Sequence, residues 1–407
     1  MTFDAIRKLG KNIGPLLETN FRFLIPLIII IFVKIIAAVY LFKTLNMASA
    51  DTYWMVGPKD HFGQNDIFKS VATQGTKWPF LFLGWDTAWY LSITTKGYIF
   101  SDQSFAFFPG LPIFSWLLNL IMQNPAYSMV IFSFVIGVLW IPVFQLVAEQ
   151  YANKSTALAV TLLFASFPYV FLFTTVAYSE GLFLFFTLCA WYFFKKGKLL
   201  SSSLSTSVAT LSRVPGLLIL LPMLIEHLRK RPHPINSVTV RNIFCFSIPF
   251  LSFFAWLLYC KILSNDWLAF MTRIAWTSMT SFRSLIFEIL PTSGVQGFLD
   301  EIFKQWPFSF AWVPFVLVTP LLIYAVIKME KSLAVYSTVY VLYILFLVGA
   351  LDSIPRLFSF CFPMWLATGL MFFKGKKSKF AIPAIFALFC VVGVFLWLNF
   401  LDGIFIA

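Results

Sequence analysis

The chain has 407 residues, of which 60% are hydrophobic and 12% charged, with a formal net charge of +13 and a mean hydropathy of +0.85. A soluble domain is about half apolar and a quarter charged, so this composition excludes a soluble enzyme and fits an all-α, polytopic membrane protein. The excess of Lys and Arg carries no nucleic-acid signal, because it sits in short clusters between apolar runs, the pattern that fixes membrane orientation.

Other classes fall away for local reasons. Cys189, Cys245, Cys260, Cys361 and Cys390 all lie in apolar runs with no CxxC pair, which suits packing. His61, His227 and His233 are too scattered for a zinc site. No P-loop or dinucleotide fingerprint is present.

Residues 1–22 form an amphipathic lead-in with Arg7, Lys8, Lys11 and Arg22, expected on the cytoplasmic side and lacking a cleavage site. Residues 23–400 read as one membrane domain of about 9–11 helices, judged against a hydrocarbon core of roughly 30 Å, and residues 401–407 as a tail. Residues 46–122 form a first extracytoplasmic loop holding Asp51, Asp60, Asp66, Asp86 and Asp102; a loop this long is more often functional than not. Within it, 105–122 is apolar but broken by Pro109 and Pro112, which predicts an interfacial helix or a partial entry.

The positive clusters then order the remaining spans. If 105–122 does not cross, Glu149–Ser155 and Lys195-Lys196-Gly197-Lys198 both face the cytoplasm, while Tyr178-Ser179-Glu180 faces outward. Keeping Arg229, Lys230, Arg231 and Arg241 inside requires 199–226 to be two short helices meeting near Arg213-Val214-Pro215-Gly216, where Pro and Gly supply the break. Residues 263–307 form a second extracytoplasmic segment. The chain then returns to Lys328-Met329-Glu330-Lys331, goes out to Pro355-Arg356, and returns to Lys374-Gly375-Lys376-Lys377. Asp86, Asp102, Glu180, Arg213, Asp266 and Arg356 thereby converge on the outer face, although only the positive clusters set the orientation.

Ionisable groups in a membrane are expensive, so each is a functional candidate. Asp86 stands in Gly84-Trp85-Asp86-Thr87-Ala88-Trp89-Tyr90, where apolar neighbours would raise its pKa toward that of a general base. The plainer alternative is an aromatic belt with Asp86 capping a helix. Glu180 reads as a ligand or as a helix N-terminal charge. Arg213 reads as a phosphate ligand or as a partner of Glu180 or Asp86. Arg356 reads as a phosphate ligand or a snorkelling side chain, and Asp266 reads more simply as a loop cap. Two arginines and a carboxylate suit a substrate carrying a phosphate and a hydroxyl. With no soluble domain to hold a nucleotide-sugar, a lipid-linked phosphosugar fits better.

An ordered set of short motifs, spread over roughly residues 80–370, carries a resemblance. It comprises Trp85-Asp86 with Tyr90, Gly97-Tyr98, Ala106-Phe107-Phe108-Pro109-Gly110-Leu111-Pro112, Tyr178-Ser179-Glu180-Gly181-Leu182-Phe183 and Ser212-Arg213-Val214-Pro215-Gly216. Asp266-Trp267-Leu268-Ala269-Phe270 and Pro355-Arg356-Leu357 are weaker members. The chain resembles the GPI mannosyltransferase 2 (PIG-V) family and its prokaryotic relatives, within the membrane-embedded GT-C glycosyltransferases. The resemblance implies the GT-C fold, a polyprenyl- or dolichyl-phosphate-mannose donor, inverting transfer to a lipid or glycolipid acceptor, and an extracytoplasmic site. It makes Asp86 the base and Trp85, Tyr90, Tyr98, Asp102, Glu180, Arg213, Asp266 and Arg356 substrate-binding. The chain departs from the family at Gly84, where Arg is usual, and at Ser212 and Pro215. This reading makes no cofactor certain, and the loop carboxylates leave a divalent cation open. The membrane is the plasma membrane in a prokaryote and the endoplasmic reticulum in a eukaryote. A lipid-linked sugar flippase, or a subunit positioning another transferase, would use the same outer cavity.

Overall fold

The structure, a computed structural model, describes residues 22–44, 78–99, 103–230, 237–272, 312–347, 353–373 and 378–401, with 291, 292, 294 and 296 besides. The rest of the 1–22 lead-in, Asp51, Asp60, Asp66 and Asp102 of the first loop, most of the second segment, the cluster at 374–377 and the tail after Leu401 lie outside the described residues.

Every regular element among the described residues is helical. In chain order these are α1 (Ile25–Thr44), α2 (Thr87–Lys96), α3 (Gly110–Met122), α4 (Pro125–Ala148), α5 (Lys154–Ser166), α6 (Pro168–Phe173), α7 (Glu180–Lys195), α8 (Leu199–Ser212) and α9 (Pro215–Leu218). Then come α10 (Leu220–Lys230), α11 (Ser237–Ser264), α12 (Ala269–Thr272), α13 (Trp312–Lys328), α14 (Lys331–Leu347), α15 (Ile354–Ser359), α16 (Phe362–Phe372) and α17 (Ser378–Leu401). Among the described residues, four helices are long and apolar enough to cross a membrane: Ile25–Thr44, Pro125–Ala148, Val240–Ser264 and Ala381–Leu401. The other apolar runs form shorter helices. Pro168, Pro215, Pro355 and Pro363 each stand at the first or second position of a new helix, where the missing N–H costs nothing. Asn124 and Asn153 start α4 and α5 by accepting the N–H of Tyr127 and Thr156.

The short helices form two ends. Helix α7 runs from Glu180 to Lys195; the chain reverses at Gly197, whose φ of 72° suits glycine, and α8 returns to Arg213. The chain turns again at Arg213–Val214, where the sequence places its break, and α9 and α10 run back to Glu226. At that end Lys195 Nζ lies 3.1 Å from Glu226 Oε1 and 2.6 Å from Glu330 Oε1. The Tyr151 hydroxyl donates to Glu330 Oε2 at 2.9 Å and accepts from Trp191 Nε1 at 3.1 Å. Residues read from sequence as cytoplasmic, near 151, 195 and 330, thus gather together. Asp86, Glu180, Arg213 and Arg356 gather at the opposite end of α7.

Helices α4 and α7 meet backbone to backbone. A Cβ on Gly137 would fall 2.1 Å from the Thr174 carbonyl oxygen, and one on Gly181 would fall 2.8 Å from Gly137 Cα. Neither neighbour is a flexible side-chain tip, so no rotamer change makes room. Gly137→Val should therefore destabilise the fold by about 1–3 kcal/mol or more, read as a lower midpoint of thermal unfolding in detergent. An unchanged midpoint would contradict the close approach.

Candidate active site

The site is built on the turn that enters α2. A 3-10 segment, Trp78–Phe82, leads into Gly84-Trp85-Asp86. Trp85 adopts φ 51°, a left-handed conformation that bulky residues rarely hold unless their surroundings impose it. The surroundings here do so. Trp397 Nε1 donates to the Leu81 carbonyl at 2.6 Å, Ala177 N–H donates to the Phe82 carbonyl at 2.9 Å, and Asp86 N–H donates to the Tyr178 hydroxyl at 3.1 Å. Gly84 N–H donates to the Thr87 hydroxyl at 2.6 Å. The Phe400 ring covers Gly84 so closely that a Cβ would fall 2.8 Å from it. A larger residue at this position would have to displace that ring.

Asp86 occupies the N-cap position of α2 yet makes no side-chain cap. Its carboxylate is 32% exposed, and Oδ2 lies 3.8 Å from Arg356 Nη2. Burial pushes the Asp86 carboxyl above the ordinary carboxylate range; the Arg356 guanidinium opposes that rise, Glu180 adds to it, and Arg213 opposes it. The open third of the side chain limits how far the rise goes.

Glu180, the first residue of α7, is 1% exposed. Its Oε1 accepts from Arg356 Nε at 2.6 Å, stands 2.6 Å from Arg356 Nη2, and makes a close ion contact with Arg213 Nη1. Its Oε2 is buried and accepts no hydrogen bond among the described residues. Glu180 is thus a helix N-terminal charge and the partner of Arg213, both readings the sequence offered, and also the partner of Arg356, which the sequence did not offer. Arg356, which the sequence left open as a snorkelling side chain, is instead 6% exposed, with its guanidinium 4.3 Å from the Phe173 ring centroid and 4.9 Å from that of Tyr178. Arg213 is the more open of the two, with 21% of its side chain accessible against 8% for Arg356.

The aromatic residues of the motif mostly frame these charges. Trp85 is half-buried against the core. Tyr90 shares a hydrogen bond of 2.8 Å with Ser179 and meets Phe107 and Tyr178 edge-on. Burial pushes the Tyr90 hydroxyl up to about 12, so it is neutral. Tyr98 donates to the Phe107 carbonyl at 2.7 Å and packs on Trp256. Asp266 accepts from Leu268 N–H at 2.8 Å and from the Thr272 hydroxyl, which caps α12. Asp102 lies outside the described residues. Among the described residues no group of three or more His, Cys, Asp or Glu is placed to hold a metal.

Several residues of this region went unread in the sequence. The Phe173 ring gave no signal within its apolar run, and Tyr178 was read as part of a motif without a role for its hydroxyl. Lys34 did give one: it is a lone charge inside the first span, which marks a functional candidate in a membrane.

No protein-family profile matches the chain, and no curated protein does. The resemblance to the GPI mannosyltransferase 2 family therefore rests on the quoted motifs. Among solved structures, the crystal structure of ArnT from Cupriavidus metallidurans in the apo state is similar at 12% sequence identity, covering 84% of this chain and 76% of that chain with a TM-score of 0.49.

Glu180→Gln would leave the guanidiniums of Arg213 and Arg356 with only the partly open Asp86 as counter-charge. Breaking a buried ion pair on one side costs roughly 3–5 kcal/mol, so this variant should unfold well below the wild type in detergent. The paired change Glu180→Met with Arg356→Met should lose less than Glu180→Gln alone. A double variant as unstable as the sum of its singles would show the two side chains to be uncoupled.

Proposed function

We propose that the chain is an inverting membrane glycosyltransferase of GT-C type. It moves a mannosyl or other hexosyl residue from a polyprenyl- or dolichyl-phosphate donor to a hydroxyl of a lipid or glycolipid acceptor at the extracytoplasmic face. The observation that carries this reading is a half-open carboxylate, Asp86, beside two arginines that share one buried glutamate.

Asp86 takes the proton of the acceptor hydroxyl as its oxygen attacks the anomeric carbon. The bond from that carbon to the phosphate oxygen breaks, and the phosphate departs with the electron pair. Asp86, Glu180, Arg213 and Arg356 together carry no net charge when both acids are ionised. Protonating Asp86 leaves the group at +1 just as the leaving phosphate gains one negative charge, so the site balances the charge that develops. Arg213, the more open arginine, contacts the phosphate; Arg356 is committed to Glu180 and tunes Asp86. Glu180, wrapped by both arginines, acts as their counter-ion.

An apolar groove of about 420 Å³ supports lipid-borne substrates. It lies between α1 and α4, with Lys43 at one edge and Trp78, Leu81 and Phe82 along the segment just before Asp86. Its lining suits an alkyl or isoprenoid chain.

The test is a mass-spectrometric product assay with purified protein, polyprenyl-phosphate-mannose and a panel of lipid acceptors. A mannosylated lipid supports the reading. Movement of the lipid-linked sugar across vesicles without any product would make the protein a carrier.

Three outcomes follow from the site. Asp86→Asn should keep donor binding but lower turnover by roughly 100-fold or more, the scale of a lost general base. Measured donor Kd and kcat separate the two. The base must be ionised, so activity should fall as pH drops through the raised pKa of Asp86, above the usual value of about 3.9. Because Arg356 holds that pKa down, Arg356→Gln should move the acid limb of the pH–rate profile upward; a limb that stays put would remove Arg356 as its tuner. Arg213→Gln should weaken donor binding more than Arg356→Gln does, by roughly 1.5–3 kcal/mol, as expected for a lost charge-assisted hydrogen bond.

A further inference from the structure

Lys34 is 1% exposed, near the middle of the first spanning helix. Its Nζ donates to both the carbonyl oxygen of Thr174, at 3.0 Å, and the Thr174 hydroxyl, at 2.8 Å. It also lies 5.5 Å from the centroid of the Phe171 ring. Among the described residues it has no carboxylate partner. A lysine at such a position is costly, and as a simple lipid-facing residue it would reach for the interface instead.

Thr174 explains the cost. It ends α6 and opens the non-helical stretch Thr174–Ser179, which precedes α7. Every residue from Val170 to Leu184 is buried. Irregular backbone in a membrane bundle survives only where its polar groups find partners inside the protein. Here the Thr174 carbonyl takes Lys34, and Ala177 N–H takes the Phe82 carbonyl. The same stretch carries the working parts of the site. Phe173 holds the face of Arg356, the Tyr178 hydroxyl accepts Asp86 N–H, Ser179 meets Tyr90, and Glu180 follows directly.

We propose that Lys34 is a positioning residue: its two hydrogen bonds to Thr174 clamp the Thr174–Ser179 stretch, and so fix Tyr178, Glu180 and Arg356 relative to Asp86. Its effect on turnover rests on the glycosyltransferase reading above; its effect on the stretch does not.

Hydrogen–deuterium exchange on the purified full chain tests the clamp without any substrate. Lys34→Met should raise exchange across Thr174–Ser179 and the Gly84–Thr87 turn, while α8 and α11 keep wild-type protection. In the product assay, kcat should fall about tenfold with donor KM within about twofold, the signature of a misplaced rather than missing group. Lys34→Arg, which keeps a donor, should recover much of both losses. Thr174→Val removes one acceptor of Lys34, together with the hydroxyl's own bond to the Val170 carbonyl at 2.6 Å, and should give a smaller change in the same direction. Combined with Lys34→Met, it should add less than it costs alone.

Wild-type exchange in a folded Lys34→Met protein overturns the clamp. So does full additivity of the two changes. Should Lys34→Met fail to fold, Lys34→Arg and Thr174→Val decide: unchanged exchange and kcat in Thr174→Val would overturn the proposal, and local loosening there would support it. A wild-type protein without transferase activity would sink the functional reading and leave the exchange result standing.

Discussion

The carboxylate of Glu180 between the guanidiniums of Arg213 and Arg356 is the interaction on which the upper half of the bundle depends. Each of the three sits at a discontinuity: Glu180 at the start of α7, Arg213 at the break after α8, Arg356 in the short α15. Such breaks free backbone polar groups and helix ends, which in an apolar surrounding demand partners. Charges placed there are costly unless matched, and one glutamate matches two arginines only if Asp86 supplies the remaining negative charge nearby. The four side chains therefore fix three separate stretches of chain against the Trp85–Asp86 turn.

This arrangement separates roles among residues of the same type. Of the two acids, Glu180 is wrapped and serves as counter-ion, while Asp86 is left a third open with its oxygens free of the helix cap. Of the two bases, Arg356 lies over the Phe173 and Tyr178 rings, while Arg213 is the more open. The transfer proposed above needs one base and no general acid, since phosphate leaves without a proton. That differs from glycoside hydrolysis, where two carboxylates share the work.

Much of this was legible in the sequence because charge is scarce in it. Asp86, Glu180, Arg213 and Arg356 stood out as isolated polar residues among apolar ones, and the positive clusters brought them to one side by counting spans alone. The turn at Arg213 was legible because Pro215 and Gly216 follow it. Helix lengths were less so: the apolar runs 156–174 and 357–373 are long enough for single spans but are cut at Phe167–Pro168 and Phe360–Cys361. Hydropathy does not register such cuts, because the residues on both sides stay apolar. The ranking of the two arginines was illegible, since it depends on which ring each one meets. Lys34 was legible in principle, as a charge inside a span, but its partner Thr174 lies 140 residues away, and no local pattern joins them.

The lengths of α7 and α8 have a consequence for the surrounding lipid. At 16 and 14 residues they measure about 24 and 21 Å, at 1.5 Å per residue, less than the roughly 30 Å of an average hydrocarbon core. Long helices flank them, with 24 residues in α4 beside α7 and 28 in α11 beside α8. With the Lys195 end at one headgroup layer, Glu180 stands several ångströms short of the other. A bilayer meets such mismatch by thinning locally. Such thinning draws the headgroups of nearby lipids toward the Asp86 end of α7, which is where the transfer proposed above needs its donor phosphate.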